Sequence, residues 1–123
     1  RGQVPRMDVF AFPTDEKLRK LAKKICEEEL GDISVFEGRV LSGDIFVSDK
    51  ETKDDLKKTF GGYCTEMEGA AIAQVAYLNN IDVLIVRAIS DKADDSASMD
   101  YAEFERKAIE NCVKLTLKLI ESI

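Results

Sequence analysis

Two short acidic clusters hold the side chains best suited to chemistry. One is Glu66-Met67-Glu68; the other is Ser90-Asp91, with Arg87 three positions ahead of Ser90. Two carboxyls can divide acid–base work when their surroundings keep one protonated and the other ionised. Each cluster falls where a predicted strand ends, and open α/β sheets bind ligands in the crevice beyond the carboxyl ends of their strands. Successive strand side chains alternate faces, so Glu66 and Glu68 point one way and Met67 the other. Taken singly, Glu68 is explained as a residue at a helix N-terminus and Asp91 as the start of a turn. Arg87 weakens that plainer reading. A guanidinium set inside an apolar strand requires a partner, and the carboxylates beyond the strand ends are the available ones.

The elements that must position these groups can be read along the chain. Residues 4–13 form an irregular entry between Pro5 and Pro13. Thr14, Asp15 and Glu16 predict a helix start, with a capping oxygen followed by negative charge at the positive dipole end. Leu18, Leu21, Ala22 and Ile25 recur at helical spacing, and Gly31 is a stop. Residues 34–46 are predicted extended, with Val40-Leu41 as a buried strand and a loop after Phe46. Lys50 to Phe60 reads as a charged surface helix broken by Gly61-Gly62. Residues 63–67 form a short strand, and 69–78 an alanine-rich helix apolar around most of its circumference, hence buried. Residues 82–89 make an almost continuous apolar run, as in a central strand covered on both faces. Residues 90–98 read as a polar loop. Asp100 and Glu103 have capping-box spacing ahead of a long helix whose core stripe is Phe104, Ala108, Cys112, Leu115 and Leu119. This alternation of helix and strand implies a parallel or mixed sheet with helices on its faces.

Composition narrows the function classes. The 123 residues, 45% hydrophobic and 34% charged, suffice for one small packed domain. A net charge of −6 argues against duplex nucleic acid or an anionic membrane as main partner. There is no histidine, which excludes His-based triads and most zinc sites. Cys26, Cys64 and Cys112 are odd in number and lack CxxC spacing, so they read as buried, reduced thiols of a cytoplasmic protein. No apolar run approaches the ~20 residues of a membrane span. The opening Arg-Gly-Gln-Val-Pro-Arg is not a signal peptide and lacks an initiator Met, so a piece of a longer chain is expected.

Glu66-Met67-Glu68-Gly69-Ala70-Ala71-Ile72-Ala73, residues 86–94 (Val-Arg-Ala-Ile-Ser-Asp-Lys-Ala-Asp) and Ser42-Gly43-Asp44-Ile45-Phe46 together resemble the 5′-methylthioadenosine/S-adenosylhomocysteine nucleosidases of the nucleoside phosphorylase superfamily. The likeness runs from about Gly38 to the C-terminus and more loosely back to Gln3. It implies a three-layer α/β/α fold with a mixed, mainly parallel sheet, here incomplete: residues 1–123 would be the C-terminal half of a single domain. It implies Asp91 as the acid protonating adenine N7, with Ser90 orienting it, and Glu68 as acceptor for the ribose hydroxyls. Met67 would lie against the sugar and Phe46 would stack on the base. The main chain of Val47 would bond the purine edge, Arg87 and Glu66 would stand near the attacking water, and Tyr101 would line the 5′-alkylthio pocket. No cofactor or metal is implied. The implied partners are a purine nucleoside, the missing N-terminal half with its water-activating glutamate, and a second copy in a homodimer.

The scheme is sound chemistry on its own terms. Adenine leaves poorly as an anion, so the departing ring needs a proton. An Asp supplies one at neutral pH only if its pKa is raised well above ~3.9. An ionised carboxylate on the hydroxyls then stabilises the oxocarbenium-like sugar. The rivals are phosphorolysis or hydrolysis of another purine nucleoside, and a non-catalytic nucleoside-binding or storage module. Without its other half the chain is expected to expose an apolar sheet edge and to be inactive. Residues 9–12 are a candidate dimer contact. Other constellations carry less. Gly61-Gly62 lacks the Lys-Ser/Thr of a phosphate loop, and Asp91, Asp94, Asp95 and Asp100 lack EF-hand spacing. Lys17, Lys20 and Lys24 form a solvated face, and Cys64 has no base partner.

Overall fold

Parallel pairing of two short strands organises the molecule. The computed structural model describes residues 1–89 and 101–123. Strand β1 (Arg39–Ser42) pairs in parallel with β2 (Gly62–Glu66), matching Val40 with Cys64, Leu41 with Thr65 and Ser42 with Glu66. Helix α2 (Lys50–Phe60) carries the chain between them. Its first turn is capped by Asp49, which accepts from the Thr52 N–H at 2.8 Å. It ends at Gly61, whose φ of 66° is open to glycine without steric cost. No residue of α2 is buried, as its sparse apolar positions predict.

Helix α1 (Glu16–Glu29) is capped by Asp15, not Thr14: Asp15 Oδ1 accepts from the Leu18 N–H at 2.7 Å. Helix α4 (Tyr101–Ser122) packs on it. Ala22, Ile25, Cys26 and Leu30 form a small buried core with Leu115 of α4, with Leu21, Val35, Leu84 and Leu119 packed around it. Of the predicted α4 stripe, Leu115 is buried and Phe104, Ala108 and Leu119 are half-buried. Cys112 is exposed. The three thiols are free, but only Cys26 is buried, which corrects the expectation of three interior cysteines.

Helix α3 (Gly69–Leu78) follows β2 directly and rests on β1. Only Gly69, Ala73 and Ala76 are buried; Ile72, Val75 and Leu78 face out. The expected burial all round is therefore not met within this chain. Residues 82–89 likewise form no strand. A strand exists by pairing, and no described segment pairs with this one. Its Val83 carbonyl instead accepts from the Asp15 N–H at 2.9 Å, and Leu84 joins the α1 core. Val83, Leu84 and Ile85 are half-buried, while Val86 and Ile89 are exposed. The loop at 90–98 and the cap at Asp100 lie outside the described residues.

Candidate functional site

The parallel register brings both strand ends to one edge, and that edge is where the polar network lies. Glu66, the last residue of β2, is opposite Ser42, the last of β1. Its side chain is only 8% exposed. One carboxylate oxygen accepts from the Ser42 hydroxyl. The other accepts from the Arg87 guanidinium, from the Glu68 N–H at 3.0 Å and from the Gly69 N–H at 2.7 Å. Burial pushes this carboxyl upward, but these donors outweigh it and hold it down at about 2. Glu66 is thus a fixed anion.

The same contacts explain the start of α3. Glu68, its N-cap residue, makes no side-chain capping bond. Glu66 caps the helix through the Gly69 amide, and Ser42 Oγ accepts from the Ala70 N–H at 2.8 Å. Gly69 is favoured by this close approach, because a Cβ there would stand 2.8 Å from Glu66 Oε1. Relieved of capping, the Glu68 carboxylate is 66% exposed and reaches Arg87 at 2.7 Å. Glu68 stands at the helix start without capping it.

Arg87 joins the two glutamates, as a charge in an apolar run demands. Its side chain is 35% exposed, so it sits at the edge of the molecule and not within a covered strand. Beside this network Cys64 is half-buried, and burial, then the nearby Glu66 charge, pushes its thiol upward. That is the opposite of what a nucleophilic thiol needs.

The remaining predicted residues stand as follows. Phe46 and Val47 lie in the loop after β1, with Phe46 78% exposed and Val47 half-buried. That loop departs beside the site, since the Gly43 N–H extends the ladder to the Glu66 carbonyl at 3.1 Å. Met67 is exposed between the two glutamates. Tyr101 begins α4. Ser90 and Asp91 lie outside the described residues. Sequence reasoning missed Ser42 and the Gly69 and Ala70 amides. The available signal was a serine closing one strand and a glycine opening the helix after the other. Two open hollows, lined by residues 3–8 and by Pro13, Tyr77 and Val83 with their neighbours, lie away from this network. Among the described residues no group of three or more His, Cys, Asp or Glu is arranged to hold a metal ion.

A parallel strand pair joined by a helix, with acidic and basic groups gathered beyond the carboxyl ends of the strands, lies where open α/β sheets bind ligands. The sequence model of the Phosphorylase superfamily matches residues 2–121, and the chain belongs to that superfamily. It carries part of the nucleoside phosphorylase-like fold. It is 35% identical to a 5′-methylthioadenosine/S-adenosylhomocysteine nucleosidase of Treponema pallidum, over the whole of this chain and 54% of that protein. It is also 35% identical to an aminodeoxyfutalosine nucleosidase of Helicobacter pylori, over 99% of this chain and 52% of the relative. The crystal structure of the Neisseria meningitidis 5′-methylthioadenosine/S-adenosylhomocysteine nucleosidase with methylthio-immucillin-A superposes with a TM-score of 0.84 at 33% identity, covering 99% of this chain and 52% of that one. The chain thus spans about half the length of the relatives it matches.

Proposed function

We propose that this chain is the C-terminal half of an enzyme hydrolysing the N-glycosidic bond of 5′-methylthioadenosine and S-adenosylhomocysteine to adenine and a thioribose. The observation that carries the reading is the release of Glu68 from helix capping: a solvent-facing carboxylate, oriented by Arg87, waits at the strand ends. In the scheme, Glu68 accepts hydrogen bonds from the ribose 2′- and 3′-hydroxyls and stabilises positive charge growing on the sugar. Phe46 stacks on adenine, the Val47 main chain bonds the purine edge, and Met67 and Tyr101 border the sugar and its 5′-thioether. Asp91, oriented by Ser90, gives its proton to N7 as the C1′–N9 bond breaks. Water adds to C1′ near Arg87 and Glu66. Glu66 is held at about 2 and fully engaged, so it contributes charge and orientation, and the water proton passes to a glutamate of the complementary half. The exposed apolar residues of α3 and of 81–89 are the surface that half would cover. A cytoplasmic homodimer acting in methionine salvage completes the proposal; the free thiols and the exposed Phe10 support it.

The test is to combine the chain with its complementary half and supply methylthioadenosine with and without phosphate. Release of adenine independent of phosphate is expected; a strict phosphate requirement refutes the hydrolytic assignment. Asp91→Asn should lose roughly 10²–10⁴-fold in turnover yet still bind. A second reading, hydrolysis of a nucleoside with a different 5′-substituent, is favoured by the likeness to the aminodeoxyfutalosine nucleosidase. Competition between 5′-substituted adenosines distinguishes the two.

A further inference from the structure

We propose that Ser42 is a positioning residue for this hydrolysis: its hydroxyl locks the Glu66 carboxylate to the start of α3 and so fixes where Arg87 and Glu68 stand. The inference rests on the hydrolytic reading, which assigns Ser42 no part. A hydroxyl offers one proton and two lone pairs. Ser42 gives its proton to Glu66 Oε1 and takes the Ala70 N–H at 2.8 Å, so one half-buried atom joins β1, β2 and α3. Among the described residues, the three other donors to Glu66 all meet Oε2. Without Ser42 the carboxylate is held at that oxygen alone and can pivot about it. The pivot reaches the substrate side, because Arg87 Nη2 is shared between Glu66 and Glu68. Two further groups face Glu66. Cys64, its thiol pushed upward, is neutral near pH 7, and Glu68 lies across the shared guanidinium. Neither replaces the lost donor.

The experiment compares Ser42→Ala, Ser42→Cys and Ser42→Thr in the chain assembled with its complementary half. Kinetics on methylthioadenosine are read together with the Glu66 carboxyl titration by ¹³C NMR. Ser42→Ala should lower kcat about tenfold with KM within about twofold, the effect of losing one hydrogen bond to a charged group. The Glu66 midpoint should rise from about 2. Ser42→Thr restores both values, and Ser42→Cys, a weak donor of similar size, falls between. An unmoved Glu66 midpoint in Ser42→Ala, a loss confined to KM, or a Thr variant as impaired as the Ala one overturns the inference. If Ser42→Ala does not assemble, the Cys and Thr variants decide: equal kcat and equal midpoints overturn it. An inactive parent assembly refutes the hydrolytic reading instead, separately from the Glu66 titration.

Discussion

The corner between β2 and α3 has an inner and an outer side, and one guanidinium touches both. On the inner side Glu66 is covered and accepts from Ser42, Arg87 and two backbone amides. On the outer side Glu68, two residues along, stands largely in water with Arg87 as its charged partner. The difference shows how a fold can leave the carboxylate at a helix start exposed. Helix capping is delegated to a neighbour that can be desolvated because its donors are built in, and the helix's own N-cap residue is left facing solvent.

The largest expected effect breaks the inner side. Glu66→Ala leaves Arg87 without its covered partner, the Glu68 and Gly69 amides without their acceptor and the Ser42 proton without its own, and should cost about 3 kcal/mol in urea unfolding. The same change at Glu68 should cost less than about 1 kcal/mol, since its pair with Arg87 is exposed. On the proposed hydrolytic reading the ranking by activity reverses for the outer residue: Glu68→Gln in the assembled protein should reduce turnover roughly 100-fold at nearly unchanged melting temperature. A melting-temperature loss matching that of Glu66→Ala would erase the distinction between the sides.

Acid sharpens the comparison. The folded-state value of Glu66, about 2, lies below its ordinary 4.5, so the unfolded chain binds the proton more readily. The stability from this carboxylate is complete above pH 4.5 and is lost as pH falls from there toward 2. Glu66→Gln should therefore flatten the acid limb of a urea-midpoint titration, and Glu68→Gln should leave it steep. An intermediate effect is expected at Gly69→Ala. The new methyl meets a carboxylate tied by four donors that cannot swing aside, at a cost of about 1–2 kcal/mol, measured by the same unfolding.

Much of this was legible in the chain, and the reasons differ by element. Helix α2 was readable to the residue because both its ends are local chemistry, with an acceptor before it and glycine after it. The need of Arg87 for carboxylate partners was likewise readable, because desolvating a lone charge is costly wherever it lies. Ser42 was not, since its role depends on which residue of β2 lies opposite, and register is a property of two strands. The apolar run at 82–89 failed as a strand for the same reason. Apolarity in that run and in α3 states a demand for cover without saying what answers it.

The crossover between the parallel strands offers practical leverage. A parallel link must return to the opposite edge before the second strand begins, so the last turn of α2 ends beside Gly62 while the Glu66–Arg87–Glu68 network lies at the other end. Four residues of strand, roughly 13 Å, separate the two edges. Lys57 and Lys58, exposed in that last turn, are therefore natural attachment points for a dye or a surface tether that leaves the proposed site undisturbed.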